Sequence, residues 1–267
     1  GQFSPAYECR PATTILMKKR LKMMAAKPAT LIHAARPVRQ PAVARACNCA
    51  LEWNVADGDQ VRAGSTIGLL SGKLRGILRA ERPLLNLLQR ASGIANATRA
   101  FVEAVQGTGC RILHTRKTVP GLRALDIEAV VAGGGHQHRA DLAHEVMVKD
   151  NHWQALSREG KRLQETLDQA RREGVNALYV EVESVEQLEL ACAAGATRLL
   201  IDNQPPETVR AWSRLARERS PSIEIEATGG MALENARAYA EAGVDFISIG
   251  ALTHSVRGAD IAVEIKF

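Results

Sequence analysis

Charged side chains stand at the ends of several short apolar segments in the second half of the chain. Two segments end in the basic residues Arg116-Lys117 and Lys149, and two others end in the carboxylates Glu181 and Asp202. Basic side chains bind carboxylates and phosphates, and a pair of carboxylates suits a divalent metal of the Mg²⁺ type. The sequence therefore predicts a site for a polyanionic substrate that carries pyrophosphate.

Two later segments end in small residues instead. Thr228-Gly229-Gly230 follows one segment and Gly250 follows the next. Small residues at these positions let backbone amides approach a phosphate closely, so a phosphorylated ligand is expected. The chain lacks the G-x-x-x-x-G-K-[ST], G-x-S-x-G and H-E-x-x-H patterns, which disfavours a P-loop kinase, a serine hydrolase and a zincin metalloprotease.

The elements that must position these residues follow an alternating pattern. Six apolar segments are predicted as strands: Arg111–Thr115, Val146–Asp150, Leu178–Glu183, Leu199–Asn203, Ile223–Gly229 and Phe246–Gly250. Helical patterns separate most of them: Gly160–Glu173, Val185–Ala194, Pro206–Glu218 and Ala232–Ala242. Such alternation indicates a parallel sheet. Because consecutive strand ends carry polar residues, we expect the ends to converge on one site, as in an α/β barrel.

Local signals refine this prediction. Ser184 followed by Gln187 is typical of a capping box at the start of a helix. Ala50–Val55 alternates like a strand, and Leu84–Val105 has helical spacing with a break predicted at Gly93.

Basic residues are concentrated at the N-terminus. The 267-residue chain has a formal net charge of +6, but residues 1–45 hold nine Lys and Arg against the single acid Glu8, a net charge of +8, so the remainder carries −2. Such segments are typical of targeting leaders, nucleic-acid arms or weakly ordered termini. Leu16–Met24 within it is predicted as a short helix. A non-enzymatic nucleic-acid-binding protein is therefore one alternative, although the nearly neutral body argues against it.

Composition sets further bounds. With 46% hydrophobic residues, the chain can form either two modest domains or one α/β barrel. Five cysteines at irregular spacing give no disulfide framework, so a reducing compartment is expected. No stretch approaches eighteen apolar residues, and no membrane span is expected.

Seven motifs occur together in the order of a known family. They resemble quinolinate phosphoribosyltransferase, also called nicotinate-nucleotide pyrophosphorylase (carboxylating), from about Leu51 to the C-terminus. The motifs are Thr115–Arg123 (TRKTVPGLR), Gly133–Arg139 (GGGHQHR), Val148–His152 (VKDNH), Glu181–Ser184 (EVES), Leu200–Asn203 (LIDN), Glu226–Gly230 (EATGG) and Gly250–Ser255 (GALTHS).

The resemblance implies a two-domain subunit in an α/β fold. An N-terminal α/β sandwich-like domain over residues 46–108 would precede an incomplete, six- to seven-stranded α/β barrel over 109–254. Residues 1–45 would be a divergent basic segment, and 255–267 would return to the N-terminal domain. The resemblance also implies a homodimer with shared active sites, in which the N-terminal domain of one subunit covers the barrel of its partner.

The implied reaction joins quinolinate to 5-phosphoribosyl 1-pyrophosphate with Mg²⁺ and releases pyrophosphate and CO2, in the cytoplasm. No membrane or nucleic-acid partner is implied. The family motifs assign Lys117, Glu181 and Asp202 to catalysis, and Glu181, Asp202 and secondarily Asp150 to the metal. Quinolinate would be bound by Arg82 (from the neighbouring subunit), Arg116, His138, Arg139 and Lys149, and the 5′-phosphate by Thr228, Gly229, Gly230, Gly250 and His254.

Several positions depart from the family pattern. Pro83 follows Arg82 where threonine is usual, Ile127 stands where lysine is common, and Thr228 replaces a serine. Residues 1–45 are not recognisable as the family's N-terminal elements. Two related alternatives therefore stay open: a paralogue acting on another anionic heterocycle, as in molybdenum-transport-associated relatives, and an inactive member with a defective N-terminal domain.

Overall fold

The protein is described by a computed structural model that covers residues 18–25, 30–31, 39–138, 145–158 and 162–265. Arg139 lies outside these ranges. The strands are β1 (Lys18–Ala25), β2 (Thr30–Leu31), β3 (Cys49–Trp53), β4 (Gln60–Val61), β5 (Thr66–Lys73), β6 (Arg111–Leu113), β7 (Glu145–Val148), β8 (Ala177–Val182), β9 (Arg198–Asp202), β10 (Glu224–Thr228), β11 (Phe246–Ser248) and β12 (Ile261–Ile265). The helices are α1 (Arg39–Ala46), α2 (Leu74–Ala104), α3 (Arg123–Ala132), α4 (Asp150–Arg158), α5 (Leu163–Arg172), α6 (Val185–Ala193), α7 (Pro206–Arg219), α8 (Leu233–Glu241) and α9 (Ala251–His254).

A six-stranded parallel sheet forms the larger part of the molecule. Its strand order is β6-β11-β10-β9-β8-β7, and each of its five strand pairs is parallel. Among the described residues no ladder joins β6 to β7, and only an isolated bridge from Leu113 to His136 extends the β6 edge. The sheet is therefore an incomplete α/β barrel, which confirms the predicted fold class.

The large hydrophobic core lies between this sheet and its helices. Strand residues such as Val180, Ile201 and Ile225 are fully buried, together with Leu188 of α6 and Val209 of α7. Strands covered on both faces read as nearly continuous apolar runs, which is why the sequence pattern located all six of them. In the part of the chain that the structure describes, no helix has the length and hydrophobicity needed to span a bilayer.

A second, antiparallel sheet contains the start and the end of the described chain. Its order is β12-β1-β5-β3, so the C-terminal strand pairs with β1. The short helix predicted over Leu16–Met24 is wrong where it can be checked, because Lys18–Ala25 is a strand. Met23 and Ala25 alternate into a small core with Ile67 and Ile261, and this tertiary burial outweighs helical propensity.

Helix α2 connects the two sheets over 31 residues. The break predicted at Gly93 is wrong, since the helix continues through it. A Cβ at Gly93 would collide with the carbonyl oxygen of Arg257, so the glycine allows the segment before β12 to cross the helix closely. That crossing is held by the Ala259 amide, which donates to the Gln89 carbonyl at 2.8 Å.

Candidate active site

One cavity of about 570 Å³ lies at the carboxyl ends of the parallel strands. Parallel strands bring the residues that follow them to the same edge of a sheet, which is where α/β proteins place their ligands. Ten of the residues singled out from the sequence line this cavity: Arg116, Lys117, His138, Lys149, Asp150, Glu181, Asp202, Thr228, Gly229 and Gly230.

Four other predicted residues are placed differently. Arg82 is exposed on α2 and does not line the cavity of its own chain. Gly250 and His254 lie beside the lining residue Lys117, because a Cβ on Gly250 would be 3.1 Å from Lys117 Cδ and 3.1 Å from His254 Cδ2. Arg139 cannot be placed, since it lies outside the described residues.

The loop that carries Arg116 and Lys117 is held by a chain of hydrogen bonds that begins at a buried carboxylate. Asp126 is fully buried in α3 and accepts two hydrogen bonds from Arg90 of α2, both at 2.8 Å. Arg90 also donates to the Thr253 carbonyl at 2.8 Å, and the Thr253 hydroxyl donates to the Lys117 carbonyl at 2.7 Å. Paired and fully hydrogen-bonded, these groups fix the loop relative to α2 and α9.

His138 is held from both its backbone and its ring. Its backbone amide donates to Nε2 of His114 at 3.1 Å, while His114 Nδ1 lies 3.1 Å from the Thr115 carbonyl. Since Nε2 accepts, the proton of His114 must be on Nδ1. Burial lowers the pKa of His114, against the opposing contact with the Thr115 carbonyl, which favours this neutral form. The ring Nε2 of His138 faces both carboxylate oxygens of Glu226 at 3.2 Å.

Lys149 and Glu181 form an ion pair across the ends of β7 and β8. Glu181 is 8% exposed in its side chain and Lys149 is 43% exposed, so the lysine is the partner that can turn to a ligand. Helix α4 stabilises the arrangement: His152 Nδ1 accepts from the Lys149 amide at 2.9 Å, and Trp153 Nε1 donates to the Glu181 carbonyl at 2.9 Å.

Asp202 is oriented by the residue that follows it. Asn203 has a left-handed backbone with φ of 51°, and its Nδ2 donates to Asp202 Oδ2 at 2.6 Å. The backbone amide of Asn203 donates to the Thr228 carbonyl at 3.0 Å, and this hydrogen bond joins the ends of β9 and β10. Gly229, with φ of 81°, leaves room for the Asn203 side chain, because a Cβ there would collide with Oδ1 of Asn203.

The donor chemistry at this edge fits a metal that arrives with its substrate. Among the described residues no group of three or more His, Cys, Asp and Glu side chains forms a metal cage. Glu181 and Asp202 nevertheless both line the cavity. Mg²⁺ is commonly bound by one or two carboxylates together with substrate phosphates and water, so two carboxylates fit this mode of binding.

Sequence reasoning gave no site role to several lining residues, chiefly His114, Asn203, Glu226 and Ser248. Side chains at positions i and i+2 of a strand share a face. Glu226 stands two residues before Thr228, and Ser248 two residues before Gly250, so the period of two could have identified both. For Asn203 the signal was its place directly after Asp202, while nothing in the sequence indicates that His114 contacts His138.

Lining residues of the same chemical type lie together around the opening of the cavity. The cations Arg116, Lys117 and Lys149 follow β6 and β7, the carboxylates Glu181 and Asp202 end β8 and β9, and a Thr-Gly-Gly turn follows β10. Because β6 and β7 are the two edge strands of the sheet, the cations flank its open side.

This architecture matches a known family along nearly the whole chain. The family model described as quinolinate phosphoribosyl transferase, C-terminal domain, matches residues 94–264, and that of the N-terminal domain matches residues 15–92. The chain belongs to the quinolinate phosphoribosyl transferase family. The expectation that the resemblance begins near Leu51 is wrong, because the N-terminal match of this family extends into the basic segment and includes β1.

Individual relatives agree with this family. The chain is 43% identical over 212 residues to a Bacillus subtilis (strain 168) protein named probable nicotinate-nucleotide pyrophosphorylase [carboxylating], covering 78% of this chain and 71% of the relative. It is 41% identical to the nicotinate-nucleotide pyrophosphorylase [carboxylating] of Mycobacterium leprae (strain TN), covering 80% and 74%. The solved nicotinate-nucleotide pyrophosphorylase of Francisella tularensis superimposes with a TM-score of 0.84 at 28% identity, covering 94% of this chain and 87% of that one.

Proposed function

We propose that this family member transfers the phosphoribosyl group of 5-phosphoribosyl 1-pyrophosphate to quinolinate, with loss of CO2 and pyrophosphate. The relatives named carboxylating pyrophosphorylases support this reaction. The product is nicotinate mononucleotide, and the reaction supplies NAD biosynthesis. A cytoplasmic location goes with this proposal.

The observation that carries the proposal is the order in which cations, carboxylates and small residues follow one another around the cavity. A planar dicarboxylate needs clustered cations, a ribose needs carboxylates that accept from its hydroxyls, and a 5′-phosphate needs backbone amides at small residues. The cavity offers these three surfaces side by side, in the order in which the atoms of a bound nucleotide product would need them.

The binding roles combine that order with the assignments that the family motifs imply. The quinolinate carboxylates are held by Arg116, His138 and Lys149, with Arg139 and the partner-derived Arg82 completing the set. The 5′-phosphate is bound at Thr228, Gly229 and Gly230, together with Gly250 and His254, which lie beside Lys117. Gly229 and Gly230 both have positive φ, at 81° and 62°, a backbone that L side chains rarely adopt.

Catalysis rests on positioning and electrostatics rather than on a nucleophilic side chain. The pyridine nitrogen attacks C1 of the ribose as pyrophosphate departs, and Glu181 and Asp202 hold the ribose hydroxyls during this step. Lys117 stabilises the charge that develops on the leaving group. Lys149, released from Glu181, pairs with a substrate carboxylate. The adjacent carboxylate leaves the quaternised ring as CO2, and the ring carbon, which keeps the electron pair, takes up a proton from water to complete the reaction.

Glu181 and Asp202 would also hold Mg²⁺, with Asp150 nearby at the cavity wall. When bound, the metal neutralises charge on the pyrophosphate. Asn203 keeps one Asp202 oxygen engaged, so the other oxygen is the one available for a ribose hydroxyl or the metal.

An assay of both released products tests the proposal. Incubation with quinolinate, 5-phosphoribosyl 1-pyrophosphate and Mg²⁺ should release CO2 and pyrophosphate in equal amounts. Lys149→Ala should abolish turnover without unfolding the chain, whereas Arg172→Ala, which removes the same charge from the exposed face of α5, should leave turnover unchanged. Absence of release from the folded, unmodified protein would contradict the proposal. Competition by analogues that lack one carboxylate would distinguish a paralogue with another heterocycle.

Shared active sites in a homodimer are part of the same proposal, and they explain why Arg82 lies away from the cavity of its own chain. Arg82→Ala and Lys149→Ala should each be inactive alone. When the two variants are co-expressed, mixed dimers regain one intact site each, so about a quarter of the unmodified activity should return. No recovery from a confirmed mixed dimer would contradict sharing through Arg82.

A further inference from the structure

Glu226 is a carboxylate buried in the middle of the parallel sheet, at the floor of the cavity. Its side chain is 1% exposed, and both of its oxygens are engaged. Oε1 accepts from the hydroxyl of Ser248, Oε2 accepts from Nη1 of Arg198 at 3.2 Å, and both oxygens lie 3.2 Å from Nε2 of His138. The carboxylate therefore joins β9, β10 and β11 to the loop that precedes β7.

A purely structural ion pair with Arg198 would account for only one of these four contacts. Arg198 has a second carboxylate, Glu224, whose Oε2 lies 2.7 Å from Nη2. Its guanidinium also stacks on the rings of Tyr179 and Phe246, at 4.5 and 4.0 Å from their centroids. Arg198 is thus held without Glu226, whereas the described contacts of the His138 ring nitrogen Nε2 are with Glu226.

The protonation state of Glu226 makes it an acceptor. Burial alone would raise its pKa, but the hydrogen bond from His138, with the contributions of Ser248 and Arg198, outweighs burial and lowers the pKa of Glu226. An ionised carboxylate only accepts, so Nε2 of His138 carries a proton and points at Glu226. His114 thus holds the backbone of His138, and Glu226 holds its ring nitrogen Nε2.

A buried negative charge next to a dicarboxylate site would repel the substrate if it touched it. Both oxygens of Glu226 are occupied by donors from the protein, so it offers none to a ligand. His138 and Ser248 both contact Glu226 and both line the cavity, and His138 is the one of the two that is assigned to quinolinate, so Glu226 can act on that substrate through His138. We propose that Glu226 is a positioning residue that orients His138 for binding the quinolinate carboxylate; this inference rests on the proposed role of His138.

Steady-state kinetics of Glu226→Gln and Glu224→Gln test the inference. Glu226→Gln keeps the size of the side chain and removes the charge that holds His138, so the KM for quinolinate should rise about 10- to 100-fold. The KM for 5-phosphoribosyl 1-pyrophosphate should change by less than about 3-fold, since both oxygens of Glu226 are engaged by Ser248, Arg198 and His138, none of which is assigned to that substrate. Glu224→Gln is the matched control on the same strand, because it also contacts Arg198 but not His138, and its KM values should match those of the unmodified protein.

A double-mutant cycle with His138→Asn separates positioning from a structural role. If Glu226 acts through His138, Glu226→Gln should raise the KM for quinolinate no further once His138 is replaced. A rise of the same size in both backgrounds would overturn the inference, and so would an unchanged KM for quinolinate in Glu226→Gln alone.

Should Glu226→Gln fail to fold, the same cycle is run with Ser248→Ala, which removes one donor to Glu226. A rise in the KM for quinolinate that vanishes in the His138→Asn background supports the inference, and a rise that persists there overturns it.

Failure of the proposed function has a different signature: the unmodified protein itself would release no pyrophosphate in the presence of quinolinate, a result that overturns both statements. Failure of the inference alone leaves the unmodified activity intact.

Discussion

Asn203 shows how a single side chain can join backbone geometry to the chemistry of the site. It occupies the left-handed region, where asparagine is tolerated better than most residues, and uses that conformation to reach back to Asp202. Asn48 is the other described non-glycine residue with positive φ, at 53°, and it lies between α1 and β3 rather than at the cavity. The two asparagines therefore have similar backbones in different surroundings.

Replacing Asn203 with glycine should isolate the hydrogen bond to Asp202. Glycine accepts the left-handed backbone without strain, so only the side-chain contact is lost. We expect kcat/KM for 5-phosphoribosyl 1-pyrophosphate to fall about 3- to 10-fold, because one hydrogen bond at an exposed position is removed. Asn48→Gly is the matched control and should leave kinetics unchanged. Equal kinetics in both variants would show that Asn203 does not orient Asp202.

The sequence predicted many of the cavity-lining residues that stand at strand ends, but it did not single out Glu226, which lies inside a strand. Arg116, Lys149 and Asp202 stand where an apolar run stops, and that position is visible in the chain. Glu226 lies inside a strand, where a charge is normally excluded, and its partners His138, Arg198 and Ser248 come from three other places in the sequence. Such contacts depend on the tertiary fold and leave no local pattern.

At the scale of elements, local signals were reliable where the chain itself supplies both partners. The helix start predicted at Ser184 is confirmed, because the Ser184 hydroxyl accepts from the Gln187 amide at 3.2 Å. The reciprocal half of the predicted capping box is shifted by one residue, since Gln187 Oε1 accepts from the Glu183 amide at 2.7 Å rather than from that of Ser184. The errors at Gly93 and in β1 have a common cause. In both places a segment that is distant in sequence decides the conformation. At Gly93 it is the segment before β12, and for β1 it is the neighbouring strands β5 and β12.

Loss of the α6 cap should destabilise the protein by about 1 kcal/mol. Ser184→Ala removes the oxygen that satisfies a helix N-terminal amide, while Ser184→Thr retains it and should restore most of the stability. Urea denaturation measures both. Turnover at saturating substrate should stay unchanged in Ser184→Ala, because the capping hydroxyl does not line the cavity. A Ser184→Thr variant as unstable as Ser184→Ala would argue against the cap.

At the scale of the whole molecule, the basic excess of the sequence is not a property of the catalytic sheet. The Lys18–Lys22 run lies in β1, a strand paired on both sides in the antiparallel sheet, and residues 46–267 carry a net charge of −2. Charge at the parallel sheet is instead arranged locally, with acids and bases paired across strand ends. Groups of this kind make the stability of the molecule depend on pH.

His114 gives this dependence a definite sign. Its pKa in the native protein is lowered by burial from the ordinary value of 6.5, so below pH 6.5 the unfolded chain binds a proton that the folded chain does not. The free energy of unfolding should therefore fall as pH decreases from about 6.5, by at most about 1.4 kcal/mol per pH unit from this residue.

Above pH 7 the contribution of His114 to the free energy of unfolding is fully present and does not change with pH. His114→Asn removes the titrating group, so its stability curve should be flatter than that of the unmodified protein between pH 6.5 and 5, whatever constant offset separates the two above pH 7. All other ionisable side chains, Glu226 included, are present in both proteins, so the difference between the curves reports His114. Urea denaturation at half-unit steps of pH measures it, and parallel curves down to pH 5 would mean that His114 is not buried in its neutral form.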